Sequence, residues 1–202
     1  IEVSKSSIAR GNFNLAENYF RAEIASNYLK SGKMKVVNPM VMAETFNYNI
    51  YLTAQCDNLT FNDSLEIGNV VANTVTLKDN TSFSLNWSNQ KSKKAYSGDI
   101  SGNLVFAKGK PLTVGFDDSD MMINDSLIHI ARDGRIDIDT TGIRIRNFTM
   151  LTGVQKLVMD GRISKDPYDV VQVSFENVLL DDFDDLTRSA KVNLDGKLNG
   201  YV

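Results

Sequence analysis

The stretch FNYNIYLTAQCD, from Phe46 to Asp57, decides the fold class. Its even-numbered positions are apolar as far as Cys56, and the odd-numbered positions between them are mostly polar. A period of two is typical of a β-strand with one buried face, because successive side chains of a strand point to opposite sides. At about 3.3 Å per residue this strand spans roughly 36 Å, about twice the usual length in a globular sheet.

The same alternation recurs downstream, and we expect about a dozen strands, each with one polar side. The apolar positions of these runs define the candidate apolar surface of the protein. It consists of Phe46, Tyr48, Ile50, Leu52, Phe83, Leu85, Trp87, Ile100, Leu104, Phe106, Ile136, Ile138, Ile143, Ile145, Leu157, Met159, Val171, Val173, Phe175, Val192 and Leu194.

Short polar segments separate the runs and predict hairpins. They are KDN at 78–80, KGKP at 108–111, RDG at 132–134, TG at 141–142 and KDP at 165–167. Gly, Pro, Asn and Asp supply the backbone conformations that tight turns need. Strands that follow one another in the chain should therefore pair in antiparallel fashion.

Four further segments have local patterns of their own. Residues 16–30 contain good helix formers, but alternation around Ile24 favours a strand there. Residues 179–188, rich in Asp and Leu, predict a short helix or a structured turn. FNDSLEI at 61–67 resembles INDSLI at 123–128, which suggests a sheet that grows by adding similar hairpins.

Composition excludes several functional classes. The 202 residues contain 22 Lys and Arg against 25 Asp and Glu, and a net charge of -3 gives no general attraction to nucleic acid. The single cysteine, Cys56, excludes an internal disulfide, and the single histidine, His129, excludes a multi-histidine metal site. His129 has no nucleophile or base pattern beside it. We therefore expect no catalytic residue, no metal and no cofactor.

Two motifs that superficially suggest a site fit ordinary structure better. GDISG at 98–102 places its serine one position late for a nucleophile elbow, so it predicts a strand with glycine kinks. The acidic runs at 117–120 and 181–185 lack the glycine and the terminal glutamate of a calcium loop, and they predict solvated turns.

The apolar surface allows two architectures. Two sheets can pack together as a closed β-sandwich, or one curved sheet can leave its apolar side open to hold acyl chains. Both need one apolar side per strand, so alternation alone does not separate them.

Residues 82–202 contain a series of short motifs in a defined order. They are GIRI at 142–145 followed by NF at 147–148, MDGRIS at 159–164, VSFENV at 173–178 and LDGKLNG at 194–200, with LNW at 85–87 and YSGDI at 96–100 as an earlier unit. In these motifs and their order the chain resembles the TamB group of large envelope proteins, within the AsmA-like family, particularly its Bacteroidetes forms. Residues 1–45 carry little of the resemblance.

The resemblance implies an elongated, taco-like antiparallel β-groove without an active site. It also implies the periplasmic part of an inner-membrane-anchored protein that moves phospholipids toward the outer membrane and helps to assemble outer-membrane proteins. Phospholipid acyl chains would be its ligand, and an outer-membrane barrel protein would be a partner through regions outside this chain.

The chain begins at Ile1, with no methionine and no signal-like apolar run. We expect residues 1–202 to be a single elongated β domain excised from a longer protein. The alternative function, for a closed sandwich, is a cell-surface module for adhesion or glycan binding.

Overall fold

The computed structural model describes residues 1–61, 65–89, 96–123, 125–180 and 195–202. These residues form eighteen β-strands, and the strand pairs whose register is defined are antiparallel. The predicted all-β antiparallel fold is confirmed. In this part of the chain no helix is long and apolar enough to cross a membrane. The chain divides into two compact units, which are unit 1 (Ile1–Ser101) and unit 2 (Gly102–Val202).

Unit 1 is built from consecutive hairpins. Its strands are β1 (Glu2–Val3), β2 (Ile8–Asn14), β3 (Tyr19–Ala25), β4 (Tyr28–Ser31), β5 (Met34–Val37), β6 (Met40–Phe46), β7 (Asn49–Phe61), β8 (Leu65–Leu77), β9 (Asn80–Ser88) and the start of β10 (Ser97–Val105). The main order is β2–β3–β6–β7–β8–β9. The β4–β5 hairpin is inserted between β3 and β6, and β5 pairs with the final third of β7.

Unit 2 begins within β10. Its other strands are β11 (Leu112–Phe116), β12 (Ser119–Ile123), β13 (Ser126–Ile130), β14 (Arg135–Asp139), β15 (Gly142–Thr152), β16 (Gln155–Ser164), β17 (Val171–Leu179) and β18 (Lys197–Tyr201). The main order is β10–β11–β14–β15–β16–β17–β18. The β12–β13 hairpin is inserted between β11 and β14, and β13 pairs with the end of β15.

The two units therefore share one topology. In unit 1, β3 pairs with β6, the β4–β5 hairpin lies between them in the sequence, and the long strand β7 pairs with both β5 and β6. In unit 2, β11 pairs with β14, the β12–β13 hairpin lies between them, and the long strand β15 pairs with both β13 and β14. The sequence similarity between residues 61–67 and 123–128 does not correspond to this repeated topology. Residues 61–67 span the β7–β8 connection, whereas residues 123–128 span the β12–β13 connection. Residues 62–64 and 124 lie outside the described residues.

The start of the long strand differs from the prediction. Asn47 and Tyr48 form a two-residue turn between β6 and β7, with φ angles of 50° and 63°. Positive φ at both positions is the geometry of a type I′ hairpin turn. Phe46, Tyr48 and Ile50 therefore do not share a strand, and that prediction is wrong. The hairpin looked like one strand because Phe46, on the polar side of β6, and Tyr48, in the turn, continue the even-numbered apolar pattern of β7.

Other local predictions have mixed outcomes. The predicted hairpins at 78–80, 108–111, 141–142 and 165–167 are confirmed. The hairpin predicted at 132–134 is wrong, because β13 pairs with β12 and β15 whereas β14 pairs with β11 and β15. Residues 16–30 contain no helix, as predicted, but residues 16–18 form a turn, and β3 and β4 are separated at Ser26 and Asn27. The strands outnumber the predicted dozen because several have only two to five residues, too few to show a period. The Asp- and Leu-rich segment at 181–188 lies outside the described residues.

Candidate functional site

Strand register in unit 1 gathers apolar side chains on one face. Residues directly opposite each other in an antiparallel pair point to the same side of the sheet. Leu52 is opposite Ala43 in β6 and Thr74 in β8, and Thr74 is in turn opposite Phe83 in β9. We call this side the unit 1 apolar face. It consists of Phe20, Ala22, Ile24, Val41, Ala43, Ile50, Leu52, Ala54, Cys56, Val70, Ala72, Phe83 and Leu85, with Thr45, Thr74 and Thr76 among them.

The other side of unit 1 carries charged and polar pairs, with apolar side chains such as Val75 among them. On it, Arg10 of β2 forms an ion pair with Glu23 of β3, with 2.8 Å between Nη2 and Oε1. Thr53 Oγ1 donates a hydrogen bond of 2.9 Å to Asn73 Oδ1 between β7 and β8. The sheet of unit 1 therefore has one face suited to water and one suited to hydrocarbon.

Unit 2 has the same division. Leu104, Val114, Ile136 and Ile145 lie in one cross-strand row, because each is directly opposite the next. Ile143 lies between Ile138 and Ile163 in the next row. The unit 2 apolar face consists of Leu104, Leu112, Val114, Phe116, Ile128, Ile130, Ile136, Ile138, Ile143, Ile145, Phe148, Met150, Leu157, Met159, Ile163, Val171, Val173 and Phe175.

A β-bulge keeps this face continuous along β15. The register shifts between Ile145 and Phe148, where Asn147 has a φ of 47°. The Asn147 backbone N–H, freed from the ladder, donates a hydrogen bond of 3.0 Å to Asp160 Oδ2. Under strict alternation Phe148, three positions after Ile145, would point to the polar side, and the bulge returns it to the apolar face.

The polar side of unit 2 carries charged pairs. Arg146 Nη2 and Thr113 Oγ1 both contact the Asp137 carboxylate, at 2.5 Å and 2.8 Å. His129 also lies on this side, with its Nδ1 2.9 Å from Asp120 Oδ1. In the ranges that the structure describes, no group of three His, Cys, Asp or Glu side chains is placed to hold a metal ion.

The apolar faces are open. Ile50 is 49% exposed, Ile24 58% and Ile163 53%. Among the described residues, only Ile130 and Val178 are hydrophobic side chains that are fully buried, at 3% and 4%. A closed sandwich would bury its inward-facing residues along every strand. The side chains of these faces are instead half covered by their neighbours in the same sheet.

The structure brings together most of the predicted surface residues within each unit. Trp87 continues the alternation of Phe83 and Leu85 along β9, and Ile100 alternates with Leu104 along β10. Phe46, at the end of β6 and 63% exposed, is directly opposite Asn49 and lies on the polar side of unit 1, so its assignment to the apolar surface is wrong. Tyr48 lies in a turn and Phe106 lies just after β10, with exposures of 86% and 43%. Val192 and Leu194 lie outside the described residues.

A cavity of about 220 Å³ lies at the apolar face of unit 2, and sequence reasoning did not find it. Its walls come from β12, β13, β15, β16 and β17. The lining residues are Met121, Ile123, Ser126, Ile128, Met150, Leu151, Thr152, Gln155, Lys156, Leu157 and Val178. Leu157 is the one member of this set that belongs to the predicted surface. Alternation at Ile128 and Ile130 indicated β13, but neither the strand β12 nor the pairing of β13 with β15 was predicted from the sequence.

Cys56 is a half-buried member of the unit 1 apolar face. Burial raises the pKa of its thiol, and the negative charge of Asp57 raises that pKa further. A raised pKa lowers the fraction of thiolate, which is the reactive form. The site is therefore suited to packing rather than to nucleophilic chemistry.

Comparisons with protein-family models, with curated proteins and with solved structures find no match to this chain. The resemblance to the TamB group stays a prediction from the sequence motifs.

Proposed function

We propose that this chain is a non-enzymatic segment of a periplasm-spanning envelope protein of the TamB, AsmA-like type. Its apolar faces hold phospholipid acyl chains, for phospholipid transport to the outer membrane and for outer-membrane protein assembly. The segment belongs to the periplasmic part of an inner-membrane-anchored protein. The sequence motifs support the family, and the open apolar face of each unit supports the ligand.

The observation that carries the proposal is the half-exposed apolar face. Exposed hydrocarbon surface is unfavourable in water, and each Å² removed from water contributes about 25 cal/mol. Ile50 and Leu52 in unit 1, and Ile138 and Ile143 in unit 2, are each at least 36% exposed. Large contiguous apolar surface of this kind marks a binding surface in soluble proteins. An acyl chain laid across these rows removes the side chains from water without needing a polar partner.

The polar side explains how such a sheet stays soluble. Its charged pairs, such as Arg10 with Glu23 and Arg146 with Asp137, keep one surface hydrated. A lipid on the apolar side can therefore keep its head group in water at an edge of the sheet. Along the rows of Ile, Leu and Val the contacts are non-directional, so a tail can slide from one row to the next.

The proposal is tested by photo-crosslinking on the full 202-residue chain. Benzoylphenylalanine is placed at Leu52 or Ile143 on the apolar faces, and at the adjacent Thr53 or Arg144, which point to the polar sides. The probe is a vesicle of phosphatidylethanolamine and phosphatidylglycerol. We expect lipid adducts at positions 52 and 143 and only background at positions 53 and 144.

Two results would contradict the proposal. The first is a folded chain that captures no lipid at positions 52 and 143. The second is equal capture on both sides of the sheet, which would indicate non-specific contact with the vesicle. If the chain instead binds an immobilised glycan array and no lipid, the adhesion or glycan-binding alternative replaces it.

A further inference from the structure

The strand β2 forms an outer edge of unit 1. Within the described part of the chain it pairs with β3 on one side only. Residues 8–13 are all exposed, with Ile8 at 50% and Phe13 at 64%. The β2–β3 register runs over seven consecutive residue pairs without a shift, so the strand is regular along its whole length. A regular strand with one free side presents a row of backbone N–H and C=O groups that can pair with a further strand.

Hydrogen bonds of the neighbouring β3 show which way its backbone groups point. The Phe20 N–H donates a hydrogen bond of 2.8 Å to Thr45 Oγ1 of β6. The Ser26 N–H, just after β3, donates one of 3.0 Å to the Pro39 carbonyl oxygen, just before β6. The even-numbered residues of β3 therefore direct their N–H and C=O groups toward β6 and away from β2.

The outward-pointing groups of β2 belong to its odd-numbered residues. Phe13 is directly opposite Phe20, whose groups point away from β2, so these two residues form a non-hydrogen-bonded pair. The N–H and C=O of Phe13 therefore point to the free side, and those of Ala9 and Gly11 do so by alternation. None of these three residues is a proline and none carries a charge, although both features commonly protect edge strands from pairing.

We propose that the free edge of β2 is a docking surface for β2 of a second copy of this chain. The two strands run antiparallel about a two-fold axis at Gly11, the central residue of β2. This register forms about six N–H···O=C bonds, which join Ala9 to Phe13 of the second copy, Gly11 to Gly11 and Phe13 to Ala9. An axis perpendicular to the sheet keeps the apolar sides together, so two unit 1 apolar faces become one continuous surface.

The side chains are complementary in this register. On the apolar side the small Ala9 lies opposite the Phe13 ring of the second copy, and the two glycines meet at the axis. On the polar side Arg10, which forms an ion pair of 2.8 Å with Glu23, lies opposite Asn12 of the second copy. An axis at Arg10 would instead place two guanidinium groups directly opposite each other, which is unfavourable.

The small size of the contact predicts a weak, reversible dimer. Seven residues from each copy bury less than the roughly 1,200 Å² of a standard stable interface. We therefore expect a dissociation constant of about 10 to 100 μM. The inference goes beyond the proposed function, because it concerns how copies of the chain assemble and not what the apolar face binds.

The first test uses the unmodified 202-residue chain. Sedimentation equilibrium from about 1 to 500 μM should show a monomer at the low end and a dimer at the high end. Amide hydrogen exchange is followed by nuclear magnetic resonance at both concentrations. The amides of Ala9, Gly11 and Phe13 should be unprotected in the monomer and should slow about fivefold in the dimer. Those of Arg10 and Asn12 are bonded to β3 and should be protected already in the monomer.

Variants on the edge provide the second test. Ala9→Pro removes an outward N–H and leaves the bonds to β3 intact, so it should weaken dimerisation about tenfold or more. Asn12→Lys places a second cation opposite Arg10 of the second copy and should weaken dimerisation about fivefold, whereas Asn12→Glu should strengthen it. Ser82→Lys, at an exposed position of β9, is the control and should change the affinity less than about twofold. Circular dichroism checks each fold, and the two Asn12 variants carry the test if Ala9→Pro does not fold.

Benzoylphenylalanine in place of Phe13 locates the contact, in a mixture of ¹⁴N and ¹⁵N chains that identifies crosslinks between copies. We expect crosslinks from position 13 to residues 8–10 of the second copy. Crosslinks to residues 197–202 would assign the edge to β18 instead, and crosslinks to Ile50 or Leu52 would indicate two apolar faces packed together. Either result, or a monomer at every concentration, overturns the proposal. Lipid capture at positions 52 and 143 is measured separately, so the lipid-binding proposal can stand when this one fails.

Discussion

Phe148 of β15 meets Phe116 of β11 edge to face, with ring centroids 5.3 Å apart and ring planes at 70°. The two strands are not neighbours, because β14 lies between them in the sheet. The contact is possible because the bulge at Asn147 turns Phe148 to the apolar side. Gly134, which precedes β14, is buried beside the Phe148 ring. Because it has no side chain, the ring can occupy the adjacent space.

Replacing Phe148 by alanine should destabilise the protein by about 2 kcal/mol, because it removes an aromatic pair and much of a half-buried ring. Chemical unfolding monitored by circular dichroism measures the loss. Phe46→Ala is the matched control, since that ring is 63% exposed and its removal should cost less than about 0.5 kcal/mol. Equal losses for the two variants would contradict the packing role of Phe148.

The indole of Trp87 covers the backbone of Gly98. A Cβ built on Gly98 would overlap atoms of the Trp87 ring. We expect Gly98→Ala to cost about 2 kcal/mol, because either the ring or the strand must move. In a Trp87→Ala background the same substitution should cost little. A double-mutant cycle measured by thermal unfolding tests this coupling, and additive effects would show that the two sites are independent.

Charges on the apolar faces should be tolerated where the face is open. Ile50→Lys should lower the free energy of unfolding by about 1 kcal/mol or less, because a side chain at a site that is 49% exposed can keep its ammonium group hydrated. Val178→Asp should cost several kcal/mol, since it buries an unpaired carboxylate at a site that is 4% exposed. Urea unfolding measures the free energy of unfolding of both variants. A large loss for Ile50→Lys would indicate a closed core.

Asp139 should make stability depend on pH in the acid range. The Thr141 hydroxyl lowers the pKa of the Asp139 carboxyl, and the backbone N–H groups of Thr141 and Gly142 and the charge of Arg162 lower it further. Because the pKa is lower in the folded chain than in the unfolded chain, the stabilisation is present above about pH 4. It is lost as the pH falls through the lowered folded pKa.

Nuclear magnetic resonance titration of the Asp139 carboxyl tests this expectation. Thr141→Val removes the strongest hydrogen bond, so the pKa of Asp139 should rise toward its ordinary value. The stability difference between the parent and Asp139→Asn should also shrink as the pH drops through the folded pKa. A difference that does not change with pH would contradict the role given to the carboxylate.

Residue alternation predicted the faces better than it predicted the strands. Ile50, Leu52, Phe83 and Leu85 were assigned to one apolar surface from their spacing, and β8 does bring them to the same side. The turn at Asn47 was missed because Phe46, on the polar side, and Tyr48, in the turn itself, extend the even-numbered apolar pattern of β7. The bulge at Asn147 was missed because its single extra residue is visible only in the pairing of β15 with β16.

The cavity could not be predicted, although its residues alternate like their neighbours. It depends on the pairing of β13 with β15, which brings Ile130 opposite Met150. Twenty residues separate these two in the chain, and no turn links their strands directly.

The sequence by itself determined that the protein is all β, that each strand has one apolar side, and that most neighbouring strands form hairpins. These properties are local, since side-chain period and turn chemistry act within a few residues. Only the tertiary structure decided the insertion of the β4–β5 and β12–β13 hairpins, the shared topology of the two units and the position of the cavity. Backbone hydrogen-bonding groups are the same in every strand, so long-range partners are selected by the packing of the whole sheet.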